Sequence, residues 1–264
     1  MPELPDVAGF QQYLDSTALR KSVSHTHVPV RKVLDDATPQ LLSRRLKGKS
    51  LKESRRHGKY LFARAPDAGW LVMHFGMTGE LQYSEESEEM PEHTCVALDF
   101  ENGGQLAFRC PRKLGRVSFA EDVDEFLRDH DLGPDALDDS LSADRFVELL
   151  GDRRGSIKSA LMDQSLIAGI GNIYSDEILF QAGLRPDSKV DQLSEKQVRI
   201  IYRVMRRVLA TASRHGGDLR KLPPRYMLPD RSPHKPCPRC DGKLRKKTVS
   251  GRSAIYCPNC QSKP

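Results

Sequence analysis

Four cysteines near the C-terminus constrain this chain more than any other feature. Cys237-Pro-Arg-Cys240 is followed, after 16 residues, by Cys257-Pro-Asn-Cys260. Two residues between paired cysteines let both sulfurs of a knuckle face one tetrahedral ion, and four thiolates leave no position open for water. The pattern therefore predicts one structural Zn2+ held by Cys237, Cys240, Cys257 and Cys260. Two redox-active pairs are the rival reading, but the surroundings lack a thioredoxin-like strand–helix–strand pattern. The spacer fits two strands and a turn, Lys243–Thr248, Val249-Ser-Gly251 and Arg252–Cys257. Such a ribbon sets Arg252 at or near the hairpin tip with Arg245, Lys246 and Lys247, charges suited to phosphate.

The rest of the composition is that of a globular chain: of 264 residues, 38% are hydrophobic and 30% charged. That excludes a disordered polyampholyte. Lys and Arg outnumber Asp and Glu by 42 to 36, and the excess is unevenly placed. Residues 82–102 and 121–145 are acidic, whereas 44–64, 196–221 and 231–252 are basic. A basic C-terminal half suggests a polyanionic partner; a solvated charged surface is the plainer alternative. No run approaches the roughly 18 apolar residues that span a bilayer. The start, Met-Pro-Glu-Leu-Pro-Asp, lacks the basic and apolar regions of a signal peptide. An intracellular monomer is expected, with no membrane contact and with its six cysteines outside any disulfide framework. Cys95 and Cys110 read as core residues.

Residues 1–120 read mainly as strands, at Tyr60–Ala65, Trp70–Phe75, Thr94–Phe100, Gln105–Cys110 and Arg116–Ala120, with turn residues such as Asn102-Gly-Gly between them. A helix is expected from about Asp6 to Ser16. Helices do not alternate with these strands, so a β-sandwich fits better than a parallel sheet. An acidic connector, 121–145, precedes a helical pattern at Ala143–Leu150, Ser156–Asp163, Ser175–Ala182 and Ser194–His215. The last opens on a capping box, Ser194-Glu-Lys-Gln197, and stops at Gly216-Gly217. The Pro-rich, basic stretch 218–234 reads as a linker. The expected fold is α+β with two domains: an N-terminal β-sandwich with flanking helices (1–120), the connector (121–145), a helical domain (146–228) and the zinc ribbon (229–264).

The most informative internal stretch is Leu161-Met-Asp-Gln-Ser-Leu-Ile-Ala-Gly-Ile-Gly-Asn-Ile-Tyr-Ser-Asp-Glu177. A helix is expected to end near Gln164 and another to begin after Asn172, with Gly169 and Gly171 in the turn. Amides at such a helix start can bind phosphate. Lys158 and Asn172 could add side-chain contacts. A helix–turn–helix used only for packing is the alternative.

Taken together, these pieces resemble the formamidopyrimidine-DNA glycosylase and endonuclease VIII family along nearly the whole chain. Pro2-Glu3-Leu4-Pro5 resembles its N-terminus, Gly58-Lys59-Tyr60-Leu61 and Gly76-Met77-Thr-Gly79 two motifs of its catalytic domain, and residues 157–186 its helix–two-turn–helix. Leu132-Gly-Pro134, Arg252 and the four cysteines complete the series in the family's order. The resemblance implies a bifunctional DNA glycosylase and AP lyase of base excision repair, acting on damaged double-stranded DNA. Pro2, N-terminal once Met1 is removed, would attack the sugar C1′ and form a Schiff base; β/δ-elimination would then cut the strand. A terminal amine suits this role because roughly a tenth of it is unprotonated near neutral pH, against well under a thousandth of an ordinary lysine. Glu3 would move protons at the sugar. Lys59, counted with the catalytic residues, would hold the phosphates beside the lesion and orient the sugar, and Lys158, Asn172 and Arg252 would grip the flanking phosphates. Met77, Arg112 and Leu114 would fill the space left by the flipped base.

The chain departs from the family pattern in three places. Asp6 stands where the family usually has Glu, and Arg112-Lys113-Leu114-Gly115 replaces Arg-Arg-Phe-Gly, making Leu114 a smaller aliphatic wedge. The segment between Gly217 and Cys237 is short, where members that excise 8-oxoguanine often carry a longer loop over the flipped purine. These departures leave formamidopyrimidines, 8-oxoguanine and oxidised pyrimidines all open as substrates. They also keep a non-catalytic damage-binding protein as the alternative.

Overall fold

The computed structural model describes every residue except 86–88 and 152. It divides into two compact units, residues 1–2 with 6–130 and residues 3–5 with 131–264.

The first unit is a β-sandwich. In chain order its elements are α1 (Leu4–Thr17, whose first two residues lie in the second unit), β1 (Val23–His27), α2 (Pro39–Leu46), β2 (Glu53–His57), β3 (Tyr60–Ala65), β4 (Gly69–His74), β5 (Glu80–Ser84), β6 (Thr94–Phe100), β7 (Gln105–Arg109), β8 (Arg116–Ala120) and α3 (Val123–Asp129). Two antiparallel sheets, ordered β1-β6-β7-β5 and β2-β3-β4-β8, close over one core. Side chains alternate across a strand. In β3, Leu61, Ala63 and Ala65 enter that core, where Leu71, Met73 and Val117 of the same sheet meet Leu98, Leu106 and Phe108 of the other. Phe62 faces the opposite way and meets Phe126 of α3 edge-on. Cys95 and Cys110 are fully buried in the sandwich core, as their positions in apolar strands predict.

The strands β1, β2 and β5 escape the sequence reading for a common reason. Each pairs on one side only, as an edge of its sheet. Edge strands carry polar and charged residues that blunt further pairing, so Glu-Ser-Arg-Arg-His has no apolar alternation to detect.

The second unit holds α4 (Ala143–Leu150), α5 (Ile157–Met162), α6 (Asn172–Ala182), α7 (Glu195–Ser213) and the hairpin β9 (Arg245–Val249) with β10 (Arg252–Tyr256). The α7 face bearing Val198, Ile201, Met205, Val208 and Leu209 packs into a core with Leu161, Ile170, Tyr174 and Ile178. Its capping box forms as expected, Ser194 Oγ accepting from Gln197 N while Gln197 Oε1 accepts from Ser194 N. The ribbon has a small core of its own, Phe180, Met227, Leu244 and Ile255 with Cys237 and Cys257. The hairpin turns on Ser250 (φ 47) and Gly251 (φ 75), two left-handed residues that suit a two-residue hairpin loop.

The stretch 218–234 is not a free linker. Met227 is fully buried, and the amides of Met227 and Leu228 donate to Glu177 at 2.8 and 2.9 Å. Proline content signals an irregular backbone, but it does not reveal where the remaining amides find acceptors.

Candidate functional site

The turn between α5 and α6 is built around a residue from the far end of the sequence. Glu3 is 1% exposed. Its Oε2 accepts from the amides of Gly171 at 2.6 Å and Tyr174 at 3.3 Å, and its Oε1 accepts from Ile173 at 2.9 Å. Leu4 N donates to Gly169 O at 3.0 Å. Glu3 thus caps α6 as an Ncap carboxylate would, where the helix dipole favours negative charge. The two glycines make the room: a Cβ on Gly171 would lie 2.5 Å from the Glu3 carboxylate, and one on Gly169, at φ 112, 2.7 Å from Leu4. The amides that the sequence offered to phosphate are therefore occupied by the chain's own carboxylate.

Lys158 is corrected as well. Its side chain is 1% exposed, and its ammonium donates to Asn172 O at 3.0 Å, Ser175 Oγ at 2.9 Å and Asp176 Oδ1 at 2.6 Å. An ammonium has three donors, so all are engaged and none is presented to a phosphate. Burial pushes its pKa down, with the Asp176 carboxylate opposing. The other Asp176 oxygen accepts from Arg231 Nε at 2.9 Å and from Ile255 N of β10 at 2.9 Å. Asp176 therefore ties α5, α6, residue 231 and the ribbon together. Next to it, Glu177 is pushed up to about 7 by burial, against hydrogen bonds from Gln181, Leu228 and Met227 that favour the carboxylate. Sequence reasoning missed these acidic partners, because Asp-Glu inside a helix reads as a solvated pair.

Asn172 opens α6; its carbonyl holds Lys158, and its buried Oδ1 has no hydrogen-bond partner in the structure. Arg252 is exposed and follows the hairpin turn directly. The four cysteine sulfurs lie within 4.8 Å of one another, with Cys237–Cys260 at 3.7 Å and Cys240–Cys257 at 3.6 Å. A tetrahedral Zn–S bond of about 2.3 Å requires sulfur separations of about 3.8 Å, so the set fits one structural zinc ion. Gly242 N donates to Cys240 Sγ at 3.4 Å, supporting a ligand from behind.

In the sandwich unit, Lys59 lies in the turn between β2 and β3, after Gly58 at φ 55, and is 8% exposed. His74 ends β4, opposite Tyr60 in register, and its Nδ1 accepts from Gly76 N at 3.3 Å. Its pKa is lowered to about 4 by burial first, then by the charges of Lys59 and Arg116. A neutral imidazole beside Lys59 is a feature that a lone histidine in an apolar strand did not announce.

Met77, Arg112 and Leu114 come together on two neighbouring loops, β4–β5 and β7–β8. Met77 is 41% and Leu114 43% exposed, unusual for residues this apolar. The loops are locked to each other: a Cβ on Gly76 would stand 2.3 Å from Leu114 O, and Arg112 N donates to Thr78 Oγ1 at 3.3 Å. Below them Gly115 N meets Cys110 Sγ at 3.2 Å. The two apolar tips stand outside the core.

Among the described residues no helix is long and apolar enough to cross a membrane. Fold and site define a class: a β-sandwich unit and a helix–turn–helix unit with a zinc ribbon, carrying exposed cations and apolar loop tips. Comparison with known proteins narrows it. The formamidopyrimidine-DNA glycosylase N-terminal domain matches residues 1–117, the formamidopyrimidine-DNA glycosylase H2TH domain residues 132–222, and a zinc finger found in FPG and IleRS residues 235–263. The formamidopyrimidine-DNA glycosylase of Protochlamydia amoebophila is 33% identical over 278 residues, covering 100% of both chains. That of Ureaplasma parvum is 33% identical over 276 residues, covering 99% of this chain and 100% of its own. A crystal structure of the Lactococcus lactis enzyme bound non-covalently to DNA containing an AP site superimposes with TM-score 0.89 at 25% identity, over 99% of this chain and 100% of that one. A complex of the same enzyme with Fapy-dG-containing DNA gives TM-score 0.88 at 25% identity, over the same shares. The chain belongs to the formamidopyrimidine-DNA glycosylase family.

Proposed function

We propose that this DNA glycosylase of base excision repair works through the amine of Pro2, freed by removal of Met1, and that Glu3 serves it as the acid–base group. The observation that carries this reading is the anchoring of Glu3 on the α6 amides, because it fixes the backbone of the residue next to the nucleophile. The secondary amine attacks C1′ of the damaged nucleotide, and the glycosidic bond breaks as the base leaves. The sugar ring opens with a proton delivered through Glu3, giving an iminium at Pro2. Loss of the C2′ proton then expels the 3′ phosphate, a second elimination expels the 5′ phosphate, and water releases the sugar fragment from Pro2.

Lys59, Asn172 and Arg252 hold the phosphates that flank the lesion. Three features support this: the low exposure of Lys59 together with its charge acting on His74, the place of Asn172 at the start of α6, and the exposure of Arg252 directly after the hairpin turn. Lys158 is reassigned from phosphate contact to positioning of α5 against α6. Met77 and Leu114 enter the stack from which the base is turned out, with Arg112 facing the orphan base. The structural zinc ion, held by Cys237, Cys240, Cys257 and Cys260, fixes the ribbon that carries Arg252. The working division is a catalytic region 1–120, a connector 121–145, a DNA-binding helical region 146–228 and a zinc finger 229–264. The protein acts as a monomer, inside the cell, on damaged double-stranded DNA. The short segment 218–236 favours a substrate range wider than 8-oxoguanine, including formamidopyrimidines and oxidised pyrimidines.

Borohydride reduction of the enzyme on lesion-bearing duplex should trap a covalent adduct at residue 2, located by peptide mapping, and Pro2→Gly, which exchanges the secondary amine for a primary one, should lower base excision at least tenfold. An adduct mapped to another residue, or an intact mass that retains Met1 in fully active enzyme, refutes the Pro2 assignment. Gly171→Ala, which drives a Cβ into Glu3, should lower trapping at least tenfold while zinc content stays at one ion per chain.

A further inference from the structure

The long helix α7 carries a second cationic surface that the lesion chemistry does not use. Lys196, Arg203, Arg207 and Arg214 recur at intervals of seven, four and seven residues. At 100° per residue they fall within about 20° of a single line, and at 1.5 Å per residue they extend over about 27 Å. All four are exposed. The line lies opposite the buried stripe of Ile201, Met205 and Leu209 that faces the helical core.

The neighbouring arginines behave differently. Arg199 pairs with Asp144 and Glu195, and Arg206 with Asp139. Among the described residues, none of the four ridge residues makes an ion pair; Arg214 reaches only Thr211 Oγ1, at 3.3 Å. Local stability does not explain the ridge. Lys196 sits in the first turn, where the helix dipole disfavours a cation, and Arg203 and Arg207 are like charges at i, i+4.

We infer that this ridge binds the phosphate backbone of a second duplex DNA segment, apart from the one gripped around the lesion. The inference rests on the reading of the protein as a DNA glycosylase, whose substrate is a long polyanion. Charge complementarity selects the occupant. Phosphates recur about every 3.4 Å of axis on each strand, so the ridge faces about eight base pairs. No aromatic residue lies on the line to anchor the side chains of an acidic peptide. A site of this kind lets the enzyme hold one segment while sampling another, which suits a protein that must search undamaged DNA.

The test uses the full-length enzyme and a quadruple variant, Lys196→Gln, Arg203→Gln, Arg207→Gln and Arg214→Gln, which keeps good helix formers at exposed positions. Far-UV circular dichroism and zinc content check that it folds. Each protein is first trapped by borohydride on a short lesion-bearing duplex, so that the lesion grip is filled covalently. Capture of a second, labelled, undamaged duplex is then measured. The wild-type adduct should capture it and the variant adduct should lose at least tenfold, with trapping itself unchanged. On untrapped protein, the slope of log affinity for undamaged duplex against log salt should fall by about 3 to 4, the value for four lost phosphate contacts. Equal capture by both adducts, or an unchanged salt slope, overturns the inference. So does preferential capture of polyglutamate over DNA, which would assign the ridge to an acidic protein. Failure of the wild type to trap any adduct counts against the glycosylase mechanism instead, and the salt slope on untrapped protein still decides the ridge.

Discussion

The two units hold their candidate chemistry in opposite ways. In the sandwich unit, apolar side chains that belong in a core, Met77 and Leu114, stand in solvent on interlocked loops. In the helical unit, charged side chains that belong in solvent, Glu3, Lys158, Asp176 and Glu177, are almost wholly buried. The first arrangement leaves apolar surface for a partner to cover. The second satisfies its charges internally and positions the residues that remain exposed. The difference teaches that charge alone is a poor guide to a DNA contact: Lys158, a cation beside the helix turn, is spent on Asp176 inside the unit.

Zinc removal should separate the units most strongly. Structural zinc contributes on the order of 10 kcal/mol to small zinc modules. Chelation should therefore abolish amide protection in β9 and β10 and weaken DNA binding, while β3 and β4 keep their protection. Equal loss in the sandwich would erase the contrast. Next comes Asp176→Ala, which strands Lys158, Arg231 and the Ile255 amide. Breaking one member of a buried ionic group typically costs about 3–5 kcal/mol. Denaturation followed by hydrogen exchange should show that loss in α5, α6 and the ribbon.

Acid titration should move the units in opposite directions. His74 has a lowered pKa, about 4 against an ordinary 6.5. As pH falls through this window the unfolded chain takes up a proton that the folded sandwich refuses, and stability drops. Glu177 has a raised pKa, about 7 against 4.5. As pH rises through that window the unfolded chain ionises more readily than the folded unit, and stability drops again. Each effect is at most about 3 kcal/mol, since a tenfold change in proton affinity is worth roughly 1.4 kcal/mol. Between pH 4.5 and 6.5, then, the sandwich should gain protection with rising pH while the helical unit loses it. His74→Asn and Glu177→Gln should each flatten one slope, and slopes of the same sign would break the comparison.

The smallest effect on stability is expected at the exposed tips. Leu114→Ser should change unfolding free energy by no more than about 0.5 kcal/mol. It should nevertheless slow cleavage of a lesion in duplex DNA severalfold, while leaving a single-stranded lesion unaffected if that is cut at all. Equal slowing on both would remove Leu114 from the stack.

Much of this was legible in the chain itself. The strands β3 and β6 and the helix α4 coincide with their patterns, because central strands and amphipathic helices write their burial into residue period; the edge strand β8 is legible as well, because Val117 and Phe119 alternate with polar neighbours. Cysteine spacing sufficed for the zinc set, since the ligands of each knuckle are local. The family motifs named Glu3, Asn172 and Arg252 as residues of interest without saying how each is held. The charge pattern of 196–221 was also visible, but only the structure separates its paired arginines from the unpaired ridge.

What tertiary structure alone decided was the fate of each polar group. Glu3 and the α6 amides are 168 residues or more apart in sequence, and Asp176 meets Ile255 N across 79. No local pattern encodes such partnerships. A buried charge must find a hydrogen-bonding partner wherever the fold brings one. That requirement turned Lys158 from a phosphate contact into a strut and turned a proline-rich linker into a docked segment. It also set Glu3 on the helix start that the sequence had offered to DNA.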